Sequence, residues 1–246
     1  MINGMLESSR GCLKEEVRMD IISNNLANAT VIGFKKNRVS FQQMLNQATR
    51  ETAEIASLPS NQNPYLVSVK TDMSQGDIQS SGNELDVAIF GKGFFKINTP
   101  DGIRYTRKGN FSLDTQGTLI NQDGYMVMGT AGAITLNGNG IVIDNQGVIS
   151  VDGIQLGQLD VVDFESYDGL IKEGKGLFRN SYDYPELPIE DETGIKQGFL
   201  ELSNVNIAEE MVNMIHSLRA FESYQKAIET IDELDNRAIN QVGKLR

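Results

Sequence analysis

Histidine and cysteine occur once each in 246 residues, so soft or near-neutral reactive side chains are scarce. His216 stands in a run of helical spacing with no Cys or second His at ligand distance, and reads as a partly exposed helix residue rather than a metal ligand or general base. Cys12 cannot form a disulfide within the chain and reads as a small packed hydrophobe. No Gly-x-Ser-x-Gly elbow accompanies the many Ser and Asp residues. Asp114-Thr115-Gln116-Gly117 and Asn121-Gln122-Asp123-Gly124 are rich in oxygen ligands. Neither has acids at the first, third and fifth positions with a glutamate at the twelfth, as a calcium loop requires, so both read as hairpin turns. Gly91-Lys92-Gly93 is followed by two phenylalanines instead of nucleotide-loop spacing, and reads as a tight turn between strands. Lys35, Lys36 and Arg38 form a small basic cluster of the solvated-loop kind. Asp163, Glu165, Tyr167 and Asp168 come nearest to the carboxylates and aromatics of a carbohydrate site, but look like a strand end with its loop. The expectation is a chain with no catalytic residue, no cofactor and no metal.

Composition narrows the partners. The formal net charge is −11 and the pI about 4.6, which disfavours nucleic acid, whose phosphates need clustered Lys and Arg. No run of 18 apolar residues offers a membrane span. Glu7, Arg10, Lys14, Glu15 and Glu16 break up the segment where a secretory signal would lie. On these rules alone the chain would be cytoplasmic.

The elements follow from periodicity. All five prolines lie between Pro59 and Pro188, and both ends are proline-free. Residues 1 to about 28 predict a helix, with Ile2, Leu6, Leu13, Val17 and Ile21 on one face, joined by Ile22 and Leu26. Ile207, Met211, Met214, Leu218, Phe221, Tyr224, Ile228, Ile231, Leu234, Ala238, Val242 and Leu245 recur at gaps of three and four and predict a second, much longer helix. Asn206 and Glu209 make its capped start. Glu209 and Glu210 at one end, with Arg237, Lys244 and Arg246 at the other, oppose the helix dipole. Between the helices the period changes to two. Leu85, Val87 and Ile89 alternate, as do Phe95 and Ile97. The turns Asp114–Gly117 and Asp144-Asn145-Gln146-Gly147 repeat, which is read as one turn geometry selecting the same residues twice. The predicted fold is therefore α+β: helices from 1–30 and 203–246 paired as a coiled-coil-like domain, and an antiparallel all-β domain over 76–202. Residues 31–75 are expected to be a linker or assembly-dependent segment, in which Val39, Phe41, Met44 and Leu45 could extend a short helix and residues 57–64 form a loop.

Two striped helices leave a large apolar area open unless something covers it. Head-to-tail contact between copies, with a rotation that does not close, would cover it and build a filament or tube.

Ile22-Ser23-Asn24-Asn25-Leu26-Ala27-Asn28-Ala29-Thr30, continued by Gly33-Phe34-Lys35, resembles the N-terminal signature of the bacterial flagellar rod and hook proteins. Leu85-Asp86-Val87-Ala88-Ile89, Gly91-Lys92-Gly93-Phe94-Phe95, Tyr105-Thr106-Arg107 and Gly109-Asn110-Phe111 resemble that family's central motifs. Gln197-Gly198-Phe199-Leu200-Glu201 and Ser203-Asn204-Val205-Asn206, running into Glu210-Met211-Val212, resemble its C-terminal signature. The matches fall in family order and cover essentially the whole chain.

The resemblance implies a structural protein of the flagellar basal-body rod. Its terminal helices would form an inner domain and its β domain would face outward. Its partners would be further copies, other rod proteins and the flagellar type III export apparatus, and its place the rod crossing the periplasm, reached without a cleaved signal. It implies assembly roles for Asn24, Asn25, Leu26, Ala27, Asn28, Thr30, Gly33 and Phe34, and on the C-terminal side for Ser203, Asn204, Val205, Asn206, Met211, Met214, Leu218, Phe221, Ile228 and Ile231. The chain has no room for the hook protein's outer domains. The short 59–71 region and the ending Ala238–Gly243 resemble the proximal rod protein more than the distal one. In Phe221-Glu222-Ser223-Tyr224-Gln225 an aromatic occupies a place where relatives often have a small or Asn residue. Alternatives of other classes are a secreted β-rich enzyme or binding module on a coiled-coil stalk, and a cap shed after assembly.

Overall fold

The computed structural model describes residues 2–43, 65–138, 140–189 and 193–243. The chain divides into two compact units, one of Met1–Leu26, Asn37–Asp72 and Ile207–Arg246, the other of Ala27–Lys36 and Met73–Asn206.

The first unit holds both helices, α1 (Ile2–Ala27) and α2 (Ile207–Gly243). At 37 residues α2 is about 55 Å long. Glu209 and Glu210 lie in its first turn, as expected. Its last turn carries no basic residue among the described residues, and Lys244 and Arg246 lie outside them. A Cβ built on Gly11 would strike the Tyr224 ring at 2.6 Å, and one on Gly4 would reach Ile231 at 3.5 Å. Positions 4 and 11 rise by seven as 231 and 224 fall by seven, so the helices run antiparallel past each other. A glycine inside a helix costs about 1 kcal/mol relative to alanine, so two at this spacing need a packing reason.

The seam on α1 differs from the expected face. Its fully buried positions are Gly11, Glu15, Ile22 and Asn25, stepping by four, seven and three. Leu6 and Leu13, expected inside, are 46 % and 58 % exposed, and Met5 beside them is also exposed. On α2, Glu210 and Ser217 are buried and Met214, Phe221, Ile228 and Ile231 half-buried, while Ile207, Met211, Val212, Ile215 and Leu218 stand in the open. Ile22 is buried and Val17, Ile21 and Leu26 are half-buried, as expected; periodicity could not say that Gly11, Glu15 and Asn25 would be buried with them while Leu6 and Leu13 stay outside.

Asn37–Gln43 and Tyr65–Thr71 pair antiparallel, from Asn37 opposite Thr71 to Gln43 opposite Tyr65. Val39 and Phe41 therefore lie in a strand, not in a short helix: β-branched Val39 and aromatic Phe41 alternate at period two and find a partner strand. Met44, Leu45 and the 57–64 loop lie outside the described residues. Asn25 ties the hairpin to α1, its Nδ2 donating to Asn37 O and its Oδ1 accepting from Asn37 N, both at 2.9 Å.

The second unit is β throughout, with every strand pair antiparallel. Strand Phe94–Thr99 lies inside the largest sheet, between Gly102–Thr106 and Met126–Gly129. Its alternation divides the interior. Phe95 and Ile97 enter a core with Val87, Ile89, Phe111, Leu119 and Val127, whereas Phe94 enters a second core with Tyr105, Phe164, Leu170 and Phe178. Two further pairs, Val87–Phe90 with Gly194–Gln197 and Ile78–Ser80 with Phe199–Glu201, join the early and late parts of the unit.

The repeated turns share one geometry. Asp114 Oδ1 accepts from the amides of Gln116 and Thr118, both at 2.8 Å. Asp144 Oδ1 accepts from Gln146 and Val148, both at 2.9 Å. Asn121 Oδ1 does the same for Asp123 and Tyr125, at 3.0 and 2.9 Å. Gly117, Gly124 and Gly147 close the three turns at φ near +80°, where a side chain would be strained. The oxygens that suggested calcium are occupied by backbone amides.

Candidate assembly site

At the centre of the second unit, the stretch Gly33–Lys36 is bolted to Glu201–Asn204. Glu201 ends an otherwise apolar Phe-Leu-Glu strand, and its side chain is wholly buried. Oε1 accepts from Lys35 Nζ at 2.5 Å and from the Gly76 amide at 3.0 Å, and Oε2 accepts from Arg107 Nη1 at 3.2 Å. Lys35 Nζ also donates to Ser74 O at 2.7 Å, and Arg107 Nη2 to Gly91 O at 2.8 Å. Arg107 lies 5.2 Å from the Phe94 ring centroid, placing the cation against the second core. Burial pulls the Arg107 guanidinium down, and Glu201 beside it opposes that.

Backbone bonds complete the joint. Gly33 N donates to Glu201 O at 2.7 Å, and Asn204 N to Phe34 O at 3.3 Å. Asn204 Oδ1 accepts from Lys36 N at 2.7 Å while its Nδ2 donates to Ser74 O and Oγ. The joint has no room for side chains at two glycines. A Cβ on Gly33, which sits at φ +64°, would meet Arg107 C at 2.7 Å, and one on Gly76 would meet Leu202 O at 2.1 Å. Lys172 caps the stretch, donating to Lys35 O with its ammonium 4.3 Å from the Phe34 ring centroid. Burial pushes its pKa down to about 8.

The residues expected to act in assembly thus fall into three groups. Gly33, Phe34, Asn204 and Val205 are gathered in the second unit with Ser203, whose Oγ accepts from Val205 N at 3.3 Å. Asn25, Met214, Phe221, Ile228 and Ile231 are buried or half-buried in the first unit. Asn24, Ala27, Thr30, Asn206, Met211 and Leu218 are exposed, whereas Leu26 and Asn28 are half-buried. Arg107 and Glu201 stand in the quoted motifs but were given no assembly role, and Gly76 was not singled out. The one local signal was a charge in the apolar strand Phe199–Glu201. The basic cluster read as a solvated loop is corrected in part: Lys35 and Lys36 are buried, the Lys35 ammonium donating to Glu201 and Ser74 and the Lys36 backbone amide to Asn204.

Asp163, Glu165, Tyr167 and Asp168 form a strand end with its loop, as read from the sequence. Tyr167 OH donates to buried Asp163 at 2.8 Å, tying strand to loop, while Glu165 stays exposed.

Comparison with known proteins gives three family matches in chain order. Residues 11–35 match the family described as flagella basal body rod protein, residues 88–151 the flagellar hook protein FlgE/F/G D1 domain, and residues 196–241 the flagellar basal body rod FlgEFG protein C-terminal family. Among curated relatives, the flagellar basal-body rod protein FlgG of Bacillus subtilis is 34 % identical, over 98 % of this chain and 99 % of its own. FlgG of Buchnera aphidicola from Acyrthosiphon pisum is 36 % identical over 95 % and 97 %. The rod protein FlgF of Caulobacter vibrioides is 31 % identical over 92 % of each.

Proposed function

Because the chain belongs to the family of flagellar basal-body rod proteins, whose members are structural components and not enzymes, we propose that it polymerises helically through α1 and α2 into part of the rod linking motor and hook. The observation that carries this reading is the set of apolar side chains that the helix pair leaves open. On α1, Ile22 is buried with Gly11, Glu15 and Asn25 while Met5, Leu6 and Leu13 stay open, and α2 leaves Ile207, Met211, Val212, Ile215 and Leu218 open. Leaving a leucine exposed forfeits about 1.5–3 kcal/mol of burial, so faces like these are expected to be covered in the working state.

In this reading residues 1–30 and 203–246 form the inner domain, with α1 and α2 packed as an antiparallel coiled coil. Residues 76–202 form the outer β domain, and 31–75 complete their order on assembly. Asn25, Gly33, Phe34, Asn204 and Val205 prepare the subunit, and Asn24, Met211 and Leu218 meet neighbours. Export proceeds through the flagellar type III apparatus. No helix among the described residues is long and apolar enough to cross a membrane. Both FlgG- and FlgF-named relatives match along nearly the whole chain; the short 59–71 region supports a proximal position.

Leu13→Asp and Leu218→Asp test the reading. Each should abolish incorporation into isolated basal bodies while leaving the thermal melt of the dilute protein within about 1 °C, since neither position is buried in the single chain. Normal incorporation of both variants would sink it.

A further inference from the structure

We infer that Tyr224 seated on Gly11 is the register lock of the helix pair, the contact that decides which faces of α1 and α2 remain outward. Gly11 is buried, and the space its missing side chain leaves is filled by Tyr224, 2.6 Å from where a Cβ would stand. The next layer, one heptad away, repeats the arrangement with Gly4 beneath Ile231 at 3.5 Å. Continued the other way, the same register sets Arg18 opposite Ser217 and Asn25 opposite Glu210. Ser217, Asn25 and Glu210 are all buried, as that register requires. This half of the seam is weakly discriminating: Ser8, Glu15 and Arg18 on α1 offer no large apolar knob, and the buried Ile22 lies beyond them. Only a ring that fits one hole opposes a slide of α2 there, because the neighbouring positions of α1 all carry side chains. A slide would also change which of Met5, Leu6 and Leu13 face α2.

The lock is a property of the single chain. Its consequence for neighbours rests on the rod reading. The two are separable, because register can be read in dilute monomer and incorporation in basal bodies.

The experiment uses the full chain with Cys12→Ser, Gly4→Cys and Ile231→Cys, and follows disulfide formation between positions 4 and 231 at low concentration. The parent should crosslink quickly, since those positions face each other. Tyr224→Ala, in that background, should slow crosslinking by about tenfold or more while retaining helical circular dichroism. Gly11→Phe should slow it similarly by filling the hole. Gly11→Phe with Tyr224→Ala, which moves the knob to the other helix, should recover most of the rate. Unchanged crosslinking in Tyr224→Ala overturns the inference. So does a double variant no faster than Gly11→Phe alone, whether through a shifted register or loss of helix, because complementarity is then not what holds the pair.

Discussion

Glu201→Gln removes the carboxylate that bridges Lys35 and Arg107, whose side chains are 1 % and 4 % exposed. The glutamine keeps one acceptor oxygen. Its amide nitrogen must then face Lys35 Nζ and the Gly76 amide, or Arg107 Nη1, and in either orientation a donor meets donors. Removing one partner of a buried ion pair costs about 3–5 kcal/mol, because the remaining charge is left without compensation. For a unit of this size each kcal/mol is worth about 2–4 °C, so the melting point should fall by about 10 °C. Lys35→Met should cost less, since Glu201 keeps Arg107 and Gly76. Urea unfolding of the purified chain, followed by circular dichroism, gives both values, with exposed Glu165→Gln as the surface control. A loss below about 1 kcal/mol for Glu201→Gln, or a larger loss for Lys35→Met, would refute the reasoning that this carboxylate holds the joint together.

Other outcomes follow from the same structure. Asp144→Ala should cost about 1 kcal/mol by leaving the Gln146 and Val148 amides without their acceptor, while Asp144→Asn should be nearly neutral, since Asn121 makes the same turn; calcium should not raise the melting point of either. Gly76→Ala should destabilise the second unit in a urea melt, because the methyl would collide with Leu202 O. Lys172 is held down to about 8 from its ordinary 10.5. The unfolded chain therefore binds more protons between those values, and this residue makes stability rise with pH from about 8 to 10.5. Lys172→Met should flatten that rise in melts taken across the window.

Legibility from sequence tracked the range of the interactions. The turns at Asp114, Asn121 and Asp144 were readable because each is closed by bonds within four residues. The helices were readable because their period is local. The Lys35–Glu201 pair spans 166 residues, and no local pattern points across such a gap. The orientation of α1 was misjudged for a related reason. An apolar stripe says that a face wants cover, but the single chain gives its closest contact to Gly11, where backbones can approach, and leaves Leu13 outside. Val39 and Phe41 were misassigned because a strand needs its partner, Tyr65–Thr71, to declare itself.

The joint at Gly33–Lys36 and Glu201–Asn204 also sets how the β unit carries load. The chain crosses into or out of the unit four times, at Ala27, Lys36, Met73 and Asn206, and the segments that carry the first and last crossings are pinned to each other through Gly33–Glu201 and Phe34–Asn204. Tension applied through the two helices meets at this pin and passes from one crossing to the other within a few residues. A pull on the helices therefore loads this buried, charge-reinforced clasp first.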